Sequence, residues 1–175
     1  MKWLLALAAV AAPAAAHAEV LAASANGFEI SHSVAVVVPQ PAAFEAFAQL
    51  PQWWNAEHTY SGDSANMSLA LTPGGCFCER LPTGGGIEHM RVAYIVPGAR
   101  VVLTGSLGPL LYEATSAVMD VKVERIAGGS RVTMNYRVAG FAKGGADRLA
   151  PLVDQVLGDQ MARYRKYAAA IPRTR

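Results

Sequence analysis

The stretch His58-Thr59-Tyr60-Ser61-Gly62-Asp63 gathers an imidazole, a phenol, hydroxyls and a carboxylate in one short run. Such groups supply acid–base chemistry or orienting hydrogen bonds, and the same residue types also build Asx and Ser turns in a solvated loop. Further along stand Glu79, Glu88 and His89. A carboxylate drawn into an apolar pocket has a raised pKa and can act as a base. Alternation puts Glu79 on the face of Phe77 and Glu88 on the face of Met90, with His89 and Arg91 on the opposite, wetted face. The candidate catalytic groups are therefore His58, Tyr60 and Glu79.

Cys76 and Cys78 are the two cysteines of the chain. In an extended strand, residues i and i+2 point the same way but lie ~6.6 Å apart, farther than a disulfide prefers. A bridge would need a sharp local bend, and the geometry favours a buried pair of small hydrophobes. Two thiolates do not make a zinc site, and the chain has no CxxC or HExxH spacing, so no metal and no cofactor is expected. His32 falls on an apolar strand face, where a histidine is ordinarily a satisfied core residue. There is no GxSxG elbow, and Gly84-Gly85-Gly86 sits between strands as a turn instead of before a helix as a phosphate loop.

These groups must be positioned by β-strands and one long helix. From Ala146 to Ile171 the apolar residues Leu149, Leu152, Val153, Val156, Leu157, Met161, Tyr164, Ala168 and Ile171 recur at helical spacing. Before that helix come strands over 28–38, 67–71, 76–81, 87–96, 100–105, 114–126 and 130–139, separated by Gly and Pro turns. Pro41 opens a short helix to Ala48, and Pro51 begins a second turn carrying Trp53-Trp54. Adjacent on a helix, these tryptophans diverge by about 100°; one can plug a core while the other faces a cavity. Ala117, Met119, Val121 and Val123 share one face of their strand, as do Val132, Met134, Tyr136 and Val138, and Met90, Val92, Tyr94 and Val96. One apolar and one polar face define an antiparallel sheet wetted on one side, which the terminal helix should cover.

The N-terminus reads as an export signal: Lys2 is a basic n-region, residues 3–10 an apolar core, and Ala16-His17-Ala18 a small-x-small cleavage site. The apolar core falls short of the ~20 residues a membrane span needs. Cleavage gives a mature chain from Glu19, a short mobile lead-in to Asn26, and one domain over 27–175, exported and by its pattern periplasmic. The chain carries 15 basic and 13 acidic residues; removing Lys2 leaves 14 against 13. With no basic run, nucleic acid is not an expected partner.

The order strand, helical pair, about six strands and long helix (β-α-α-β6-α) makes the fold α+β. Together with Pro41 to Phe47 followed by Trp53-Trp54, Gly74-Gly75-Cys76-Phe77, and Val92 with Pro97-Gly98-Ala99-Arg100-Val101-Val102-Leu103, it resembles the helix-grip fold of the START-like (SRPBCC) superfamily. The similarity runs from about Phe28 to the end and is greatest to the polyketide-cyclase and heat-shock-ATPase-activator-like branch. The resemblance implies a curved antiparallel sheet of about seven strands gripping the C-terminal helix around an apolar pocket, hydrophobic ligands such as lipids, sterols or polyketides, and no shared catalytic set. Two features depart from the branch: the export signal, and the lack of a tryptophan near Leu103-Thr104-Gly105.

The expected function is an exported binding protein for a hydrophobic small molecule held between sheet and helix. The alternative is a cyclase- or hydrolase-type enzyme using His58, Tyr60 or Glu79. A partner-binding sheet face is a third reading, against which the polar alternation argues. The expected ligand-lining residues are Trp53, Trp54, His58, Tyr60, Met90, Met119, Met134, Tyr136, Leu152 and Val156, with the mouth near the 58–66 and 107–111 loops.

Overall fold

The computed structural model describes residues 17–172. The expected export segment, apart from its last two residues, lies outside them. Eight antiparallel strands form one sheet in the order β1-β2-β8-β7-β6-β5-β4-β3. The strands are β1 His17–Ser24, β2 Gly27–Val36, β3 Met67–Leu69, β4 Cys76–Arg80, β5 Gly86–Val96, β6 Arg100–Gly105, β7 Ala114–Ile126 and β8 Gly129–Phe141. From β3 to β8 the chain is a meander, as its short Gly and Pro turns dictate. The helices α1 Gln40–Ala48 and α2 Leu50–Trp53 connect β2 towards β3, and α3 Ala150–Ala169 closes the chain. Among the described residues no helix is long and apolar enough to cross a membrane.

The apolar faces read from β7 and β8 are the inner wall. Val121, Val132 and Tyr136 are completely buried, and Met119 and Met134 nearly so. Against them α3 sets Leu157, Met161, Tyr164 and Ala168. Leu149, expected at the start of the helix, instead follows a 3-10 turn over Ala146–Arg148, and α3 proper begins at Ala150 with Pro151 in its first turn.

Four features differ from the sequence reading. The small, polar segment expected as a lead-in forms β1, pairing from His17↔Ser33 to Ser24↔Gly27. This adds an eighth strand through backbone hydrogen bonds that its side chains do not advertise. In β5 the register slips twice, between Phe77 and Cys78 on one side and between Val92 and Tyr94 on the other. Each bulge inverts the faces beyond it. The first turns His89 inward beside Met90; the second turns Tyr94 and Val96 out to solvent, 50% and 39% exposed, and lets Ile95 pack on the core. Asp120, read on the wet face, is nonetheless covered, by Arg100, whose Nη2 lies 2.7 Å from its carboxylate.

The fourth difference is the cysteine pair. Cys76 and Cys78 form a disulfide with their Cα atoms 5.3 Å apart. The first bulge lies directly across from them, at the Phe77/Cys78 step, and supplies the local bend that a flat strand lacks. Because the closed loop is so short, the double variant Cys76→Ser/Cys78→Ser is expected to lose only about 1.5 kcal/mol, measured as a shift in urea midpoint.

Candidate functional site

A cavity of about 420 Å³ opens between the first half of α3 and the far end of the sheet. Its apolar wall is Trp54, Leu107, Pro109, Leu110, Leu149, Leu152, Val153, Val156 and Leu157, and its polar lining is Glu57, His58, Thr59, Tyr60, His89 and Glu113. No lysine or arginine lines it among the described residues. An apolar space with acidic groups and no cation suits a neutral ligand better than an anion.

Each lining group is placed by a local cause. Trp53 ends α2, and Trp54 follows it in extended conformation, so the two side chains serve different places although their rings touch at 5.5 Å. Trp53 packs in the core against Phe47 and Tyr164 and donates its indole N–H to the carbonyl of Ala46. Trp54 faces the cavity and donates to the carbonyl of His58 at 3.1 Å, tying down the rim loop. Asn55 caps the turn Ala56–His58 by accepting from the Glu57 N–H. The buried Gln160 of α3 holds this turn: its Oε1 accepts from the Asn55 N–H at 2.9 Å, so its amide nitrogen donates to His58 Nδ1, 3.2 Å away. His58 therefore carries its proton on Nε2. Across the mouth, the Tyr60 hydroxyl donates to the carbonyl of Gly108 at 2.8 Å, joining the two loops.

Behind the polar lining lies a buried pair. Glu79 Oε2 is 3.1 Å from His89 Nε2, and Glu79 Oε1 accepts from the Ser61 N–H at 2.5 Å. Burial pushes the Glu79 carboxyl up, but the hydrogen bonds from Ser61, the Tyr60 backbone and His89 outweigh it and hold the carboxyl below the usual range. Burial pushes the His89 imidazole down more than Glu79 lifts it. The pair is thus a carboxylate accepting from a neutral imidazole. Phe77 packs against the His89 ring at 5.4 Å and Tyr60 stacks on it at 5.9 Å. His89 Nδ1 is buried without a hydrogen-bond partner among the described residues.

Of the residues expected to line the site, the cavity gathers Trp54, His58, Tyr60, Leu152 and Val156. Trp53, Met90, Met119, Met134 and Tyr136 are buried in the core and do not line it. Tyr136 uses its hydroxyl to accept from the Leu107 N–H, anchoring the rim loop from below. Glu79 does not line the cavity and reaches it through His89 and the backbone of Tyr60. His32 is a core residue as read: its ring lies under α3, where a side-chain carbon on Gly158 would come within 3.1 Å of it. Its Nε2 is 2.9 Å from Asp154 Oδ1, at ion-pair distance but out of line for a hydrogen bond. The loops 58–60 and 107–110 form the mouth, where the sequence put it.

No protein-family profile and no curated protein matches the chain. Solved structures do. Protein Mll3558 from Rhizobium loti superposes with a TM-score of 0.60 at 20% identity, over 81% of this chain and 96% of that one. Ara h 8.0201 gives 0.57 at 14% identity, over 83% and 99%. The di-domain ARO/CYC BexL from the BE-7585A biosynthetic pathway gives 0.55 at 15%, over 86% of this chain and 52% of BexL. The chain has the helix-grip fold.

Within the helix-grip frame, the group that sequence reasoning missed is His89. Simple alternation places it on the wet face, and only the bulge brings it in. One signal was present. Gly105 ends β6 opposite Met90 with φ +146°, and a side-chain carbon there would sit 2.5 Å from the His89 carbonyl. A glycine inside a strand pattern marks a bulge or a close backbone approach. Gln160 was missed for a different reason: a lone glutamine among helix surface residues gives no sign that a loop will cover it.

Proposed function

We propose that this chain is an exported carrier or sensor that holds a neutral hydrophobic small molecule between the sheet and the first half of α3. The observation that carries this reading is the cavity itself: about 420 Å³, walled by leucines, valines and Trp54, with a mouth made by two tethered loops. This volume is within the usual range of small-molecule sites. The fold shared with BexL supports placement near the polyketide-cyclase-like branch. Export rests on the n-region, apolar core and cleavage signal of residues 1–18, and the Cys76–Cys78 bridge suits an oxidising compartment such as the periplasm.

The test is titration of the full chain with Nile red, a neutral apolar probe, followed by native mass spectrometry. A one-to-one complex is expected, with Tm raised by about 5–10 °C at a hundredfold excess over Kd. Neither a complex nor a Tm shift would remove the carrier reading. Export is checked by N-terminal sequencing of chain recovered from a bacterial periplasm, which should begin at Glu19.

The enzymatic alternative has one observation in its favour: His58, Tyr60 and, through His89, Glu79 converge on the same cavity. The two readings separate on the ligand recovered after incubation. A carrier returns it unchanged, and a cyclase or hydrolase returns a product of altered mass or retention.

A further inference from the structure

The cavity contains one polar group whose bonding is incomplete. His89 is 4% exposed and lines the cavity. Its ring faces are covered by Phe77 and Tyr60, and its Nε2 is engaged by Glu79. Because a carboxylate only accepts, Nε2 must bear the proton, and Nδ1 is then a lone-pair acceptor. Among the described residues that atom has no partner. Buried polar atoms are almost always paired, and an exception calls for a missing partner. The partner has to be a donor. A carboxylate ligand has no proton to offer, and it would face the Glu57, Glu113 and Glu79 carboxylates with no lining cation to offset them. A hydroxyl offers its proton and carries no charge.

Resting on the carrier reading, we infer that His89 Nδ1 is the polar anchor of the cavity and accepts a hydrogen bond from the hydroxyl of an otherwise apolar alcohol or phenol. Glu79 is the positioning residue: it fixes the tautomer that leaves Nδ1 free, and its own place is fixed by the Ser61 N–H. Tyr60 lies over the ring and is held at the rim by its bond to Gly108 and the edge of the exposed Tyr112, so it is the covering that yields to a ligand. The first bulge of β5 serves to bring His89 inside, and Gly105 permits the close backbone approach that the bulge requires.

The test uses three probes of one shape: naphthalene, 2-naphthol and 2-naphthoate, titrated into the full chain and into His89→Phe. The quantity read is the preference for 2-naphthol over naphthalene in the wild type, divided by the same preference in the variant. This quotient cancels the difference in transfer from water, and about tenfold or more is expected from one satisfied buried acceptor. Naphthalene binding to the variant, at whatever affinity, is the reference for the quotient and reports that the cavity is intact. 15N spectra of the wild-type histidines give a second reading that needs no variant. One buried imidazole should show an unprotonated Nδ1 that moves towards the hydrogen-bonded range on saturation with 2-naphthol and stays put with naphthalene.

A quotient near one with naphthalene still bound, an Nδ1 signal indifferent to 2-naphthol, or 2-naphthoate binding as tightly as 2-naphthol each overturns the inference. If naphthalene and 2-naphthol both bind and the quotient is near one, the carrier reading stands and the anchor fails. If no probe binds, both fail.

Discussion

Glu79→Leu is expected to cost about 2–6 kcal/mol of folding stability, at about 1–3 kcal/mol for each of two donors left without an acceptor. The glutamate is only 1% exposed, and its two oxygens serve the Ser61 N–H and His89 Nε2. Leucine fills the volume but leaves both donors unpaired in the interior. Glu79→Gln keeps a carbonyl oxygen for one of them and should lose less, about 1–3 kcal/mol. Urea unfolding of both variants beside the wild type measures this order, and equal losses would mean that volume, not hydrogen bonding, is what Glu79 supplies. The pair also sets a pH dependence. The folded His89 imidazole lies below its ordinary value of 6.5 because burial disfavours its cation. Between those two pKa values the unfolded chain binds more protons, so stability falls as pH drops below about 6.5. His32 is shifted in the same direction, by burial opposed by Asp154, and adds to the same limb. The depressed Glu79 carboxyl acts lower: its contribution is complete above the ordinary value of 4.5 and is lost as pH falls from there through the folded pKa. Stability against pH should thus fall in two stages on acidification. His89→Phe flattens the upper stage, leaving the part due to His32, and Glu79→Gln reduces the lower, leaving the part due to Asp159, whose carboxyl is also held below its ordinary value.

The residues whose roles were legible in the sequence are those whose periodicity is unbroken. The inward set of β7 and β8, from Ala117 to Val123 and from Val132 to Val138, alternates without interruption and is buried as alternation requires. The spacing from Leu149 to Ala168 gave α3 and its buried face. Periodicity fails where the backbone adds a residue. In β5 one residue is added beside Cys78 and another beside Val92, and each reverses the faces of the residues beyond it. His89, the polar group most central to the cavity, stands at the first of these. Edge strand β1 was missed because Ala22, Ala23 and Ser24 have no pattern to read; pairing with Glu29, Phe28 and Gly27 is a matter of backbone alone. The sheet side of the cavity was misread for a third reason. Inward-facing residues can be read from a sequence, but whether two inward faces touch or stand apart depends on how far the sheet curls. Met119, Met134 and Tyr136 touch their opposite wall; Leu152 and Val156, on the same helical face, do not.

That division of α3 predicts a sharp contrast between its two halves. Tyr164→Ala is expected to cost about 3–5 kcal/mol, the range for truncating a fully buried aromatic. Its ring meets Trp53 edge-on at 5.5 Å and Phe47 at 5.8 Å, and its hydroxyl donates to the Ala43 carbonyl at 2.8 Å. One side chain therefore fastens α3 to both α1 and α2, and its loss leaves a cavity as well as an unpaired carbonyl. Tyr164→Phe isolates the second part and should cost about 1–2 kcal/mol. Leu152→Ala, three turns earlier on the same helix, should change stability by no more than about 0.5 kcal/mol, because the side chain is already 61% exposed. Its effect should fall on binding instead, with Nile red affinity lowered by about fivefold through lost apolar contact. Urea midpoints and probe titrations on the three variants read both quantities. If Leu152→Ala destabilises the chain while leaving probe affinity intact, the first half of α3 is core like the second. If stability moves only with Tyr164 and affinity only with Leu152, one half of the helix is fixed to the fold, and the other is free to serve as the wall against which a ligand is held.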